Sequence, residues 1–147
     1  MTRTSGRARV LLEALAGALA LLSACGPPST TVNLKADDGT LRGVAGLTEL
    51  VNPADNRVRQ VAVQLSLFGA HPTTARYEAR VRQGTCAAEG AEAFRLEDVV
   101  PPGQGDRPTE AGTLIDTPLA ALREGRHVIS VVEAGTPPSR HACGEIP

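Results

Sequence analysis

Few side chains in this sequence are of a type that does chemistry, and they fall into three groups. There are three cysteines (Cys25, Cys86, Cys143), three histidines (His71, His127, His141), and a charged row of Arg76, Glu78, Arg80 and Arg82. Imidazole and thiolate are ligands for zinc or copper, which need three or four such donors around one ion. His71 follows a turn glycine, His127 opens an apolar run and His141 lies two residues before Cys143. Histidines scattered in this way are ordinarily solvated or capping residues. The alternation in the arginine row puts its charges on one face of a strand. Such a face is either the solvent side of an antiparallel sheet or a shallow patch for anions or an acidic partner. Glu78, Glu97 and Asp98 show no partner in the sequence, and a solvated face is the default for them. Gly103 and Gly105 make no phosphate loop, because Pro108 stands at the third-glycine position and no strand-to-helix context surrounds them. No serine–histidine or cysteine–histidine nucleophile can be argued from the spacing.

Cys25 gains its meaning from what precedes it. Arg3, Arg7 and Arg9 open a basic leader, residues 10–22 are apolar apart from Glu13, and Leu22-Ser23-Ala24-Cys25 follows. The apolar run is shorter than the ~20 residues that span a bilayer. A charged start, a short apolar middle and small residues before a cut mark a secretory signal. The last four residues resemble the lipobox of bacterial lipoproteins, in which the cysteine is acylated and becomes the first residue. Gly26-Pro27-Pro28-Ser29-Thr30-Thr31 then reads as a tether rather than a continuing helix. The expected organisation is a signal peptide over 1–24, a lipid-anchored tether over 25–31 and one domain over 32–147. A plainly secreted protein is the rival reading. Both place the domain outside the cytoplasm, the first with a bacterial membrane as partner through the lipid on Cys25.

The composition narrows the field further. The formal net charge is −1 over 147 residues, and losing the leader makes the rest more acidic. With one tyrosine, two phenylalanines and no tryptophan there is neither a basic stripe nor a set of stacking platforms, so nucleic acid is excluded as a partner. With Cys25 acylated, Cys86 and Cys143 form an even pair in an oxidising compartment and read as a disulfide. Two free buried thiols are the alternative.

The remaining sequence reads as strands. Val32, Leu34 and Ala36 alternate with polar residues before the turn chemistry of Asp37-Asp38-Gly39-Thr40. Residues 41–51 form a second run, ended by Asn52-Pro53-Ala54-Asp55-Asn56. Val61, Val63, Leu65 and Leu67 share one face of a third. Ala75, Tyr77, Ala79 and Val81 form the apolar face opposite the arginine row. Short strands are expected over 93–96 and 113–115, a longer one over 127–133, and one helical turn over 118–125 between Pro118 and Gly125. Many short strands with frequent turns indicate an antiparallel sandwich or barrel, an all-β fold.

Two segments carry a family likeness. Gly125-Arg126-His127-Val128-Ile129-Ser130-Val131-Val132-Glu133, followed by Ser139-Arg140-His141-Ala142-Cys143-Gly144-Glu145-Ile146, resembles the closing segment of copper/zinc superoxide dismutases. Arg80-Val81-Arg82-Gln83-Gly84-Thr85-Cys86 resembles that family's His-Val-His strand and the half-cystine after it, and is closer still to small bacterial CHRD-type lipoproteins. The resemblance implies a Greek-key β-sandwich and a Cys86–Cys143 disulfide. It also exposes departures. Arg80 and Arg82 stand where the family places two copper histidines, and Val132, or Val131 if the register slips by one, where it places another. Residues 87–114 contain no histidine for the bridging ligand or the zinc loop. Guanidinium repels a cation and does not deprotonate at any working pH. Arg140 matches the arginine that steers superoxide in the enzymes; without copper its expected role is that of a hydrogen-bonded loop anchor.

The expectation is therefore a non-enzymatic module of the bacterial cell envelope with no cofactor, no metal and no catalytic residues. Arg76, Arg80, Arg82 and Arg140 are its candidate patch for an anion, an envelope polymer or a protein partner. The alternative is a copper-binding protein or superoxide dismutase that keeps metal through His71, His127 or His141.

Overall fold

In the computed structural model the described residues are 26–51, 54, 59–69, 72, 74–100, 109–135 and 140–147. Cys25, His71 and residues 101–108, with the Gly103 and Gly105 considered above for a phosphate loop, lie outside them. Eight strands and one short helix follow in the order β1 (Ser29–Lys35), β2 (Arg42–Val51), β3 (Arg59–Phe68), β4 (Tyr77–Thr85), β5 (Ala88–Arg95), β6 (Thr109–Ile115), α1 (Leu119–Glu124), β7 (His127–Glu133) and β8 (His141–Glu145). They form one antiparallel sheet with neighbours in the order β5-β4-β7-β8-β1-β2-β3-β6. The all-β expectation holds at this level.

The sheet is curled, and its alternation shows how. Val32 and Leu34 of β1, Val63 and Leu65 of β3, Ala79 and Val81 of β4, and Ile129 and Val131 of β7 all belong to a single buried cluster. Strands from both ends of the row thus turn the same face inward. The two ends approach each other: just past β5, the Glu97 backbone N–H donates to Oγ1 of Thr113 on β6 at 2.7 Å. Tyr77 is the largest fully buried side chain, and the rest of the core is chiefly Val, Leu and Ala. Burying each Val or Leu contributes roughly 1.5–3 kcal/mol. At Gly144 the fold depends on a missing side chain. A Cβ there would lie 2.5 Å from the Asn33 carbonyl, which is where β8 meets β1.

Several boundaries move relative to the sequence expectation. The sheet takes up the chain at Ser29, so residues 29–31 belong to β1 rather than to a tether. Pro28 is already pinned, its carbonyl accepting the Glu49 N–H at 2.8 Å. The strand expected over 93–96 is β5, which begins at Ala88. Its small and charged residues (AEGAEAFR) hide the period-two signal. The strand expected at Thr113 is β6 and begins at Thr109.

Glu49 is the least expected core residue. The inward phase set by Gly43, Ala45 and Leu47 carries it inside, where it is 2 % exposed. There its Oε2 accepts the Leu119 N–H at 2.9 Å, satisfying the first donor of α1. Pro118 at the N-cap offers no side-chain cap, so the carboxylate of β2 supplies one. Leu119 and Leu122 then close this end of the core. Glu49→Ala should cost roughly 1–3 kcal/mol, the usual loss for a buried hydrogen bond to a charged group. Urea unfolding measures it.

Cys86 and Cys143 are bridged, with Cα atoms 5.6 Å apart and 57 residues of separation. The bond ties the β4–β5 turn to β8. In the chain-entropy model a loop of that size stabilises by about 4 kcal/mol. Replacing both cysteines by serine should lower the unfolding free energy by about that amount, read from urea unfolding, with a steeper slope because the released chain exposes more surface when unfolded.

Candidate functional site

The charged face of β4 is where the sequence concentrates its candidate residues. Alternation turns Tyr77, Ala79 and Val81 inward and leaves Glu78, Arg80 and Arg82 outside. Register places Arg80 opposite Ser130, Arg82 opposite Val128 and Glu78 opposite Val132 of β7. On the other side, shifts between Val81 and Arg82 and between Arg82 and Gly84 interrupt the pairing with β5. Such bulges bend a strand out of plane, and Gly84, at φ 102°, takes a conformation few other residues adopt. The start of β5 is thereby laid over the outer face. Arg82 Nε donates to the Gly90 carbonyl at 3.0 Å, and Glu89 reaches His141 on β8, three strands away in the sheet.

Each arginine of the row is matched by a carboxylate. Arg76 donates from Nε to Asp98 Oδ2 at 2.7 Å and from a terminal nitrogen to the same oxygen. Arg80 pairs with Glu78, and its Nε lies 3.3 Å from Glu92. Arg82 Nε lies 3.6 Å from Glu89, and Arg95 joins Asp98 at 3.5 Å. Glu78 and Asp98, partnerless in the sequence reading, are therefore partners of this row. Four arginines face four carboxylates, so the face is a charge mosaic rather than a field of one sign. Individually, exposed pairs of this kind contribute about 0–1 kcal/mol. Their collective effect is to order long side chains over β7.

Beneath them, Ser130 is 2 % exposed although it points outward. Its Oγ lies 3.1 Å from His141 Nε2, and Glu89 Oε1 lies 2.8 Å from the same nitrogen. A serine, a histidine and a glutamate thus meet, a cluster that sequence spacing did not reveal. It is not a nucleophilic relay. In a triad the carboxylate holds one ring nitrogen so that the other can take the serine proton. Here both groups address Nε2. Glu89 therefore does not hold the opposite nitrogen, Nδ1, and cannot set the tautomer that leaves Nε2 free to take the serine proton. The sequence did hold a signal: Val128-Ile129-Ser130-Val131 is buried on both faces, and an unbroken apolar run with one serine implies a cover on the outer side.

Arg140 stands apart from the mosaic. It donates from Nε to Glu133 Oε2 at 2.8 Å and from Nη2 to Glu133 Oε1 at 3.1 Å. Nη2 also donates to the Tyr77 hydroxyl at 2.8 Å, and the guanidinium carbon lies 5.7 Å from that ring's centroid. The hydrogen bonds that Arg140 donates to Glu133 raise the Arg140 pKa above its already high value. Burial pushes the Tyr77 phenol above its ordinary pKa, and the nearby Arg140 charge only partly offsets it. Of the histidines, His127 Nδ1–H donates to the Leu122 carbonyl at 2.9 Å, tying α1 to β7. His127 and His141 sit in separate surroundings. Among the described residues no group of three or more His, Cys, Asp or Glu side chains is disposed around a metal position.

Two shallow clefts are present among the described residues. One, of about 260 Å³, is lined by Thr85, Arg123, Arg126, His127, Glu145 and Ile146. The other, of about 220 Å³, lies over Gln64, Ser66, Glu110 and Gly112. No protein-family model, curated protein or solved structure matches the chain.

Tyr77 is the sole tyrosine, so its ionisation can be followed directly at 295 nm. Phenolate should appear only above the ordinary pKa of 10.0 in the folded protein and near that value in denaturant. Because the folded chain keeps the proton that the unfolded chain has released, this contribution to stability is complete below pH 10 and lost as pH rises through the folded pKa.

Proposed function

We propose that the chain is a lipid-anchored, non-enzymatic module of the bacterial cell envelope with a Greek-key sandwich of the superoxide dismutase or CHRD type, serving a structural or binding role. The strand order supports the Greek-key reading. β6 lies beside β3, and β7 beside β4, so two long connections return the chain to earlier strands. The leader and the Leu22-Ser23-Ala24-Cys25 motif support the anchor.

The observation that carries the non-enzymatic reading is the chemistry at the positions where the resemblance calls for metal ligands. Arg80, Arg82 and Val132 lie on one outer face of β4 and β7, with Glu78 opposite Val132. Two of the three side chains are guanidiniums held by Glu78, Glu92 and Glu89, and the third is aliphatic. These residues do not fit copper or zinc, which need neutral imidazole or anionic donors. The same balance of charge favours an ordered mosaic over an anion patch for Arg76, Arg80 and Arg82. Arg140 is occupied by Glu133 and Tyr77.

Titration of the purified protein with Cu(II) and with Zn(II), followed calorimetrically, should give no stoichiometric site. Tight one-to-one uptake that disappears when His71, His127 and His141 are replaced would establish the copper-binding alternative instead.

A further inference from the structure

We infer that the end of the barrel bearing Leu50, Val51, Arg123 and Arg126 is a membrane-docking face for an anionic lipid surface, an inference resting on the reading of Cys25 as the lipid attachment point. Tether length carries it. Pro28 is fixed by its hydrogen bond with Glu49, so only Cys25, Gly26 and Pro27 separate the acyl chains from the sheet. At about 3.5 Å per extended residue, that is roughly 10 Å of reach. A ten-residue strand such as β2 or β3 is about 33 Å long, so only one end of the barrel can rest on the bilayer.

That end has matching chemistry. Ser29, Thr48, Ala62 and Leu114 are successive partners across β1, β2, β3 and β6. Leu50 and Val51 lie just beyond Thr48, and Leu50, Val51 and Leu114 are 40 %, 46 % and 59 % exposed. Alongside, α1 is joined to the same end of β2 through Glu49. At its far terminus come Arg123 and Arg126, which line the larger cleft. Among the described residues neither has an acidic partner, in contrast to the arginines of the mosaic. Arg126, at φ 49°, holds a left-handed backbone conformation that non-glycine residues seldom take. Exposed aliphatic side chains beside unpaired guanidiniums suit the interface of an anionic bilayer. Phe68 and Val100 are exposed at the opposite end, beyond the reach of the tether.

The chain has no tryptophan, so a single one reports its own depth. The acylated protein, as Leu50→Trp, Val51→Trp or Phe68→Trp, is placed on vesicles of phosphatidylethanolamine and phosphatidylglycerol with brominated acyl chains. Emission from Leu50→Trp and Val51→Trp should be quenched at least twofold, while that from Phe68→Trp is unchanged. Adding Arg123→Glu and Arg126→Glu should abolish the quenching while the acyl chains keep the protein on the vesicles. With the acyl mass present on Cys25, equal quenching at both ends, or none, overturns the docking face alone. Absence of the acyl mass overturns the anchor, and the tether argument with it.

Discussion

Period-two alternation in a curled antiparallel sheet is the constraint from which the other features follow. Once Val32, Leu34, Leu65, Val81 and Ile129 turn inward together, the phase of every strand is set, and a slip of one residue would expose its whole apolar row. The same phase fixes what looks anomalous. It drives Glu49 into the core, where the fold uses it to cap α1. It also turns Ser130 outward, under the charged side chains of β4 and β5. Neither residue chose its place by its own chemistry; each was carried there by its neighbours.

The outer face of β4, β7 and β8 acts as a second, polar layer. Its arginines and glutamates interlock, the start of β5 folds over it, and the disulfide fixes that turn to β8. Charged networks of this sort contribute little free energy per pair, but they define one arrangement of long, otherwise mobile side chains. The cost of burying Ser130 is met by its hydrogen bond with His141.

Most of the architecture was legible in the sequence. Strands β1, β3 and β4 announce themselves by the alternation of an apolar row with polar residues, and β7 by its nearly unbroken apolar run. The helical turn after Pro118 was visible from its punctuation, and the Cys86–Cys143 pair from cysteine arithmetic and the family likeness. β5 was only partly visible, because AEGAEAFR has too few large apolar residues to show a period. The ion pairs of the arginine row were invisible for a different reason. Asp98 reaches Arg76 from beyond β5, and Glu89 and Glu92 reach Arg82 and Arg80 from β5 itself. These contacts depend on register and bulge, which no single segment encodes. Glu133 and Arg140, seven residues apart, meet across the β7–β8 connection and hold Tyr77 between them.

The disulfide also divides the molecule mechanically. It closes a covalent ring that contains β5, β6, α1 and β7, whereas β1, β2, β3 and β4 all lie before Cys86 and outside it. A chain pulled from its amino-terminal side could therefore pay out only the segment ahead of Cys86 and the few residues after Cys143. Everything between would resist extension until the sulfur–sulfur bond itself broke. Under tension the protein behaves as a long extensible leader attached to a closed ring.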